Sequence, residues 1–494
     1  MAIKEVEEPA QEIELKFACR PEDLAAVLAA APAGDDETRE LISVYFDTPD
    51  LVLQRAGASL RVREYKGRRV QTVKRGRGMV REEHEAPIEG LAPDPALEPL
   101  PSLLPRGADL RPAFNVRISR RQRTLRYRGA RIEIALDQGE VSGGEQKSPI
   151  CEVELELKSG DPAALFALAR ELSAAAPLYL AFDSKAARGQ ALVAGEPAAA
   201  RKTGQVTLSD GATVGAAFQA VARAALAQIA ANAAVLRTAP AAEAVHQLRV
   251  GVRRVRSALS TFKPILDDDG LETLRADLKW LARSCDRARN LDVFADETLR
   301  PAEDGDAPPA GLPALRDCID LARRAAWDQA AEACAAERFR ALMIDATAWV
   351  ETGDWRASPE TQAPIRPFAR RALKRHLRKL QKLGRTARGG DDVARHHLRI
   401  EAKKLRYAAE ALIDLFGEKR AHRYLRHLKA LQEALGTLND LVTAEPLIAA
   451  LALPSDAAFA AGELVGRKAA RKPDLIVQAA RAAHRLEAAD PFWA

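Results

Sequence analysis

The chain has 494 residues, of which 47% are hydrophobic and 29% are charged, and its formal net charge is +6. This composition describes a globular chain with enough apolar residues for two or three domains. The five cysteines are scattered and form no Cys-x-x-Cys pair, which argues against a disulfide framework or a zinc site and favours reduced thiols in a cytoplasm. We expect neither a signal peptide nor a membrane span, because the N-terminal residues are acidic and no stretch of about 18 uncharged apolar residues exists.

The first predicted strand covers residues 11–17, where apolar and charged residues alternate. As a strand it places Glu12, Glu14 and Lys16 on one face and apolar side chains on the other. Charges gathered on one face need opposite charges, a metal or phosphate as partners, unless the strand is a half-exposed edge. Matching charged faces on later strands would decide between these two interpretations.

Later strand-like segments repeat the alternation and gather charge on one face. The charged members are Arg61 and Arg63, Lys74, Arg81 with Glu83 and Glu85, Arg117 with Arg120 and Arg121, Glu133 with Asp137, and Glu152, Glu154 and Glu156 with Lys158. A sheet closed on itself, apolar outside against helices and charged inside, accommodates such faces better than a flat sheet. An interior with arginine and lysine on some strands and glutamate on others suits a polyanion together with divalent cations.

This ordered set, completed by Ser184-Lys185, resembles the CYTH or triphosphate tunnel metalloenzyme family over residues 10–195. The resemblance implies an eight-stranded antiparallel β tunnel that binds a triphosphate and hydrolyses or transfers it with Mg2+ or Mn2+. Arginine offers forked donors to phosphate oxygens and lysine a compact charge. The phosphate binders are therefore expected to be Lys16, Arg61, Arg63, Lys74, Arg117, Arg120 and Lys185.

Carboxylates are the expected metal ligands, since hard divalent cations prefer oxygen. The family resemblance points to Glu12 and Glu14 with Glu152 and Glu154, and Glu156 could replace one of them. A second metal could be held by Glu83, Glu85 or Asp137. Which carboxylate plays which role stays open at this stage.

The second part of the chain has a helical pattern. Residues 201–210 form a connector without periodicity, which divides a domain at 1–200 from one at 211–494. An internal repeat aligns residues 246–256 with residues 396–406 without a gap, which predicts two equivalent helical bundles. The chain is therefore expected to be an α+β protein, with a β tunnel followed by an all-α domain of two repeated bundles.

The repeated helix carries an unusual density of positive charge. His246, Arg249, Arg253 and Arg256 follow spacings of three, four and three residues, which places them on one helical face. The repeat resembles the CHAD domain over residues 211–490, and that resemblance implies binding of inorganic polyphosphate. The expected polyphosphate-binding residues are His246, Arg249, Arg253, Arg254, Arg256, His396, Arg399, Lys403, Lys404 and Arg406.

Three hypotheses follow. The leading one is a cytoplasmic enzyme that hydrolyses inorganic triphosphate to phosphate and diphosphate, with polyphosphate held by the helical domain and association with polyphosphate granules as one option. The second keeps the fold but takes nucleoside or thiamine triphosphates as substrate, including cyclisation of ATP. The third is a non-enzymatic polyphosphate-binding scaffold. Nucleic acid is a competing polyanion, but the repeated motifs lack interleaved aromatic residues for base stacking.

Overall fold

The computed structural model describes residues 10–76, 80–196, 199–202, 204, 206–266, 268–305, 307–387 and 389–494, without the side chains of residues 10–12, 80 and 81. The chain separates into two compact units. The first runs up to Ala199 and includes Glu337–Ala348, and the second comprises Ala200–Ala336 and Trp349–Ala494. The first unit is rich in strands and the second is helical, as the sequence predicts.

In the described part of the first unit, nine strands form one antiparallel sheet. They are β1 (Ala10–Ala18), β2 (Asp35–Asp47), β3 (Ala58–Tyr65), β4 (Arg68–Arg75), β5 (Val80–Ile88), β6 (Arg111–Tyr127), β7 (Ala130–Gly143), β8 (Gln146–Ser159) and β9 (Tyr179–Ala181). Their order is β5-β4-β3-β2-β6-β7-β8-β1-β9, and β5 also pairs with β1. That pairing closes the first eight strands into the predicted barrel, and the three-residue β9 is an addition at the last residues of β1.

The strand register explains why the barrel has a charged interior. Lys16 is opposite Glu154, and Asp137 is opposite both Glu152 and Arg120. Because paired residues point to the same side of a sheet, these charges share the interior face. The alternate residues, such as Phe17 and Val153, are fully buried on the outer face.

The structure describes five α-helices in the chain segment of the barrel. They are α1 (Leu24–Ala30), α2 (Val52–Arg55), α3 (Leu100–Leu103), α4 (Pro162–Ala175) and α5 (Lys185–Val193). Helix α4 covers the outer apolar face of β7 and β8. Helix α5 packs against β6, β7 and β8, where Gly189 lies so close to the ring of Phe114 that a Cβ would approach it to 2.1 Å.

Among the described residues after the barrel segment there are twelve further α-helices. They are α6 (Val214–Thr238), α7 (Ala242–Thr261), α8 (Gly270–Ser284), α9 (Asp286–Phe294), α10 (Arg300–Glu303), α11 (Leu312–Ala335), α12 (Glu337–Thr352), α13 (Ile365–Ala387), α14 (Asp392–Ala411), α15 (Glu418–Ala449), α16 (Ser455–Ala470) and α17 (Lys472–Glu487). Helices α7 and α14 both have 20 residues, and 150 positions separate their first residues, 242 and 392, and their last, 261 and 411. They pack against each other, and each also packs against the helix before it, α6 or α13. The predicted repeat is therefore present in the helices themselves.

Helix α6 is long and apolar enough to cross a membrane by length and composition alone. In this structure 61% of its most apolar window is buried inside the protein. Its buried side also carries polar side chains, and Gln228 donates a hydrogen bond to Gln247 Oε1 at 2.9 Å. These properties are those of a core helix, and they weigh against a membrane span.

Candidate functional site

Six charged side chains meet inside the barrel and are called the inner cluster: Lys16, Arg120, Asp137, Glu152, Glu154 and Lys185. Strand β1 brings Lys16 within 2.8 Å of Glu154 and 3.9 Å of Glu152. Helix α5 brings Lys185 within 2.7 Å of Asp137 and 2.8 Å of Glu154, and into contact with Glu152. Each cation therefore bridges carboxylates from different strands.

Two carboxylates of the inner cluster, Glu154 and Asp137, are held ionised. Burial would raise the pKa of Glu154, but Lys16, Lys185 and Arg120 lower it well below the ordinary value. Burial likewise opposes ionisation of Asp137, and Lys185 and Arg120 again lower its pKa. The reciprocal effect raises the pKa of Lys16 despite its burial. Protonation of Glu154 and Asp137 is thus disfavoured while the three cations lie beside them.

Lys185 enters the barrel because of a local cap. Ser184 is the N-cap of α5, and its hydroxyl accepts a hydrogen bond from the backbone N–H of Ala187 at 3.1 Å. This cap fixes the start of the helix, so the first helical side chain, Lys185, projects to the carboxylates. One turn later, Arg188 lies 3.3 Å from Glu152, a contact that the sequence analysis did not anticipate.

A group of three carboxylates in the inner cluster has the properties of a cation site. One oxygen each from Asp137, Glu152 and Glu154 lie within 4.8 Å of one another, and all three residues are buried. Neither oxygen of Glu152 has a hydrogen-bond partner in the described part of the chain, although cations lie nearby. Buried carboxylate oxygens without hydrogen bonds are available as ligands for a hard cation.

A second group of charges lines β3, β4 and β5. Lys74 lies 3.1 Å from Glu83, and Arg61 lies 3.7 Å from the same carboxylate and 3.9 Å from Glu85. The Glu85 carboxylate also accepts a hydrogen bond from Thr72 at 2.9 Å. The side chain of Glu85 is 54% exposed, so this part of the interior is open to solvent.

Arg63 differs from the other interior cations. Its Nε donates to Ser43 at 3.1 Å, and no carboxylate lies within ion-pair distance of it among the described residues. Burial, with Arg61 and Arg120 nearby, lowers the pKa of Arg63 to about 9. A buried guanidinium that lacks a counter-ion is costly, and an anion bound beside it would remove that cost.

Tyr45 and Ser43 on β2 are site residues that the sequence analysis missed. Burial would raise the pKa of the Tyr45 hydroxyl, but Arg61 and Arg63, with Lys185, lower it below its ordinary value. The alternation of residues 41–45 is a signal that could have placed both side chains inside, since they share a face.

Some predicted tunnel residues lie elsewhere. Arg117 is exposed. It is three residues from Arg120, and residues an odd number apart on a strand point to opposite faces. Arg117 is therefore removed from the predicted phosphate binders. Glu156 pairs with Lys158 at 2.6 Å, outside the inner cluster. Glu14 is buried 3.8 Å from Lys16 and joins the cluster at its edge. The side chain of Glu12 lies outside the described residues.

In the helical unit, five cations from the two repeats form a central basic cluster: Arg249, Arg253, Arg289, Arg399 and Lys403. Arg249 donates to the backbone oxygen of Ala282 at 2.8 Å and pairs with Asp286. Arg253 donates to the hydroxyl of Tyr407 at 3.0 Å, across from α7 to α14. Among the described residues, Arg249 alone of the five has a carboxylate within 4 Å.

The cations of this cluster repel one another. Burial, with Arg399 and Arg253, lowers the pKa of Lys403 to about 7, against a weaker opposing effect of Asp440. Burial also lowers the pKa of Arg399 and of Arg289. The Nε atom of Arg399 is buried without a hydrogen-bond partner among the described residues. The cluster is therefore an excess of positive charge suited to an anion.

The remaining predicted polyphosphate residues are not in this cluster. Arg256 is exposed, and Lys404 lies 3.8 Å from Glu401. His246, Arg254 and Arg406 line a cavity of about 490 Å3 that also has apolar walls. His396 is exposed and hydrogen-bonds to Asn439 at 3.0 Å.

His246 and Arg289 have features that bear on an anion site. Burial, with Arg289 and Arg253 nearby, lowers the pKa of His246 to about 4, so this side chain is neutral near pH 7. Arg289 of the central basic cluster was not among the predicted polyphosphate-binding residues, because it lies on α9, outside the two aligned motifs.

Comparison with known proteins supports this division of the chain. The CYTH domain model matches residues 10–190, and the CHAD domain model matches residues 220–449. An inorganic triphosphatase of Haemophilus influenzae is 32% identical over 201 residues, which are 37% of this chain and 55% of that protein. The match thus spans about half the length of this curated relative.

A solved structure, the CHAD domain from the plant Ricinus communis, is 30% identical and covers 58% of this chain and 96% of its own, with a TM-score of 0.52. This likeness concerns the helical part. Taken with the barrel, its charged interior and the repeated basic helices, the two family matches show that this chain joins a CYTH domain to a CHAD domain.

Proposed function

We propose that the CYTH barrel hydrolyses inorganic triphosphate to phosphate and diphosphate with the help of Mg2+ or Mn2+. The observation that carries the proposal is the interior of the barrel, which holds three buried carboxylates and also Arg63, a buried guanidinium with no carboxylate within ion-pair distance among the described residues. Triphosphate brings dense negative charge, and phosphoryl transfer depends mainly on positioning and charge neutralisation. The similarity to an inorganic triphosphatase over part of the chain is in line with this substrate.

Asp137, Glu152 and Glu154 are the residues that would hold the cation. Their oxygens lie close enough to share one ion, and the Glu152 oxygens lack hydrogen bonds among the described residues. Glu14 lies at the edge of the same cluster and could add a ligand. A bound divalent cation would neutralise phosphate charge and acidify a bound water.

The cations of the barrel would position the phosphates. Arg63 offers a guanidinium whose charge is not met by a carboxylate, and Arg61 and Lys74 lie on the neighbouring interior positions. Lys16 and Lys185 are tied to the inner carboxylates, so they would orient those ligands and contact phosphate oxygens on the same side. Glu83 and Glu85 lie in the more open part, where they could accept a proton from the attacking water.

The CHAD domain is proposed to bind inorganic polyphosphate at the central basic cluster. The cluster has five cations, and among the described residues only one of them has a carboxylate within 4 Å. It therefore has the excess positive charge that a polyanion requires. Such a site would keep a phosphate polymer attached to the enzyme. All five cysteines are free thiols, in line with the expected cytoplasmic location.

The test is phosphate release from triphosphate by the purified full-length protein with Mg2+ or Mn2+. The Glu152→Gln, Glu154→Gln double variant should lose turnover while it keeps the circular dichroism of the parent. ATP run in parallel separates the alternatives, since cyclisation would give cyclic AMP and diphosphate. Absence of release with every divalent cation, from a folded protein, would favour the scaffold hypothesis.

A further inference from the structure

Two cysteines face each other across neighbouring strands of the barrel. Cys19 directly follows β1 and Cys151 lies in β8, and their Sγ atoms are 3.6 Å apart. Ala18 pairs with Glu152 in the strand register, so the next step along both strands places Cys19 opposite Cys151. The backbone N–H of Cys19 donates to the oxygen of Cys151 at 3.4 Å. The two thiols are therefore held side by side by the sheet.

The sheet geometry suits a covalent bond between them. Residues paired on antiparallel strands have Cα atoms about 4.5–5.5 Å apart, which is within the range that disulfides span. Both cysteines are half-buried, whereas Cys285 and Cys334 are fully buried. A small oxidant can reach the Cys19–Cys151 pair, and the sulfur atoms need to close a gap of less than about 2 Å to bond.

We propose that Cys19 and Cys151 form a reversible disulfide that acts as a redox modification site of the barrel. A diazene oxidant such as diamide would drive the reaction. The two S–H bonds break, one S–S bond forms, and the N=N bond of the diazene takes up both hydrogens and the two electrons. A dithiol reductant reverses the change, because its two thiols become a disulfide as the protein thiols are restored.

The position of the pair connects it to the inner cluster. Cys151 precedes Glu152 in β8, and Cys19 follows β1, three residues after Lys16. Their side chains point to the outer face, since strand residues alternate. A disulfide here would link the end of β1 to β8, on the face of the sheet opposite the ion pairs of Lys16 with Glu152 and Glu154. Oxidation should therefore stabilise the barrel and, if the proposed hydrolysis holds, lower its turnover by restricting those ligands.

The experiment treats the full-length protein with excess diamide, blocks remaining thiols with iodoacetamide, and maps the cysteines by peptide mass spectrometry. Excess oxidant is needed because burial raises the pKa of both thiols. The expected product is one peptide pair joined through Cys19 and Cys151, cleaved by dithiothreitol. Cys19→Ser and Cys151→Ser should each abolish it, and Cys318→Ser, whose thiol lies in the helical unit, should keep it.

Alkylation of both Cys19 and Cys151 after complete oxidant treatment would overturn the site, as would a crosslink that maps to other cysteines. Unchanged thermal stability and unchanged turnover in the crosslinked protein would overturn the expected effects of oxidation on the barrel. The mapping does not depend on activity, so a protein that never hydrolyses triphosphate still decides whether the disulfide forms. In that case the proposed function fails and the modification site is judged on mass and thermal stability alone.

Discussion

The guanidinium of Arg120 donates hydrogen bonds to both oxygens of Asp137, at 2.7 and 2.6 Å. The two residues are directly paired on β6 and β7, so the strand register itself sets this contact. Arg120 also reaches Glu154 at 2.5 Å. These fixed pairs keep Asp137 and Glu154 ionised, since protonation would leave a buried guanidinium without its partner.

The first prediction compares two arginines that the sequence alone does not distinguish. Arg63→Met should lower kcat/KM for triphosphate by roughly 100- to 1,000-fold, the loss typical of removing one preorganised contact to a developing negative charge. Arg117→Met should leave kcat/KM unchanged, because Arg117 is exposed on the outer face. Steady-state kinetics on both variants test this. Equal losses would contradict the assignment of the two faces.

The second prediction concerns metal dependence. Chelation with EDTA should abolish triphosphate hydrolysis, and Mg2+ or Mn2+ should restore it, because the carboxylates of the inner cluster would then hold a cation. In Glu154→Gln the metal concentration needed for half-maximal rate should rise at least about tenfold, as expected when one charged ligand is lost. Glu140→Gln, which breaks a pair with Lys147, serves as the control and should not change it. Full activity in EDTA would contradict a metal-dependent hydrolysis.

The third prediction concerns the close packing of α5. Gly189→Ala should destabilise the fold by about 1–3 kcal/mol, because the new Cβ would overlap the ring of Phe114 and the core must shift. The same shift should displace Lys185 and reduce turnover. Gly436→Ala is the matched control, since its Cβ meets nothing within 4 Å and alanine favours a helix. Denaturant unfolding followed by circular dichroism measures both, and a neutral Gly189→Ala would show that the helix has room to move.

The fourth prediction locates polyphosphate binding. Arg399→Met should weaken binding of the full-length protein to polyphosphate by about ten- to a hundredfold, the effect of one charge-assisted contact. Arg256→Met should have little effect, because this exposed residue is outside the central basic cluster. Calorimetric titration at constant ionic strength measures both affinities. A larger loss for Arg256→Met would move the site to the outer surface of α7.

The fifth prediction follows from the pKa of Lys403, which burial and Arg399 lower to about 7. Polyphosphate affinity should fall as the pH rises through 7, because the ammonium loses its proton. The stability of the free protein should change in the opposite direction: between about pH 7 and 10.5 the unfolded chain binds more protons at this residue, so the free energy of unfolding rises with pH.

Lys403→Met should remove both pH dependences in that window. His246 should not contribute, because its pKa of about 4 keeps it neutral there. Titrations and thermal unfolding at pH 6 and pH 8.5 compare the variant with the parent. A pH dependence that survives in Lys403→Met would assign the titration to another group.

Alternation with period two was sufficient to predict the barrel, because each charged face recurs strand after strand and a closed sheet satisfies them together. It also predicted Lys16, Asp137, Glu152 and Glu154 as interior residues. The alternation could not predict which of these carboxylates lie together. The register between strands brings Asp137 beside Glu152 and Glu154, and the pattern within one strand does not reveal that register.

The errors have local causes. Arg117 and Arg120 were grouped because they lie in one basic stretch, although three residues apart on a strand means opposite faces. In the helical domain the 150-residue repeat is evident in the sequence, and the two helices it predicts are present. Arg289, the fifth cation of the central basic cluster, lies on α9 and therefore outside these two helices.

The barrel is proposed to hydrolyse triphosphate with the carboxylates and cations of its interior. The most direct measurement is a 31P NMR time course of triphosphate with the purified full-length protein and Mg2+ or Mn2+, run beside Glu152→Gln, Glu154→Gln. Phosphate and diphosphate should appear in equal amounts with the parent protein, and neither should appear with the folded double variant. Unchanged triphosphate with the parent, or equal hydrolysis by the double variant, would contradict this proposal.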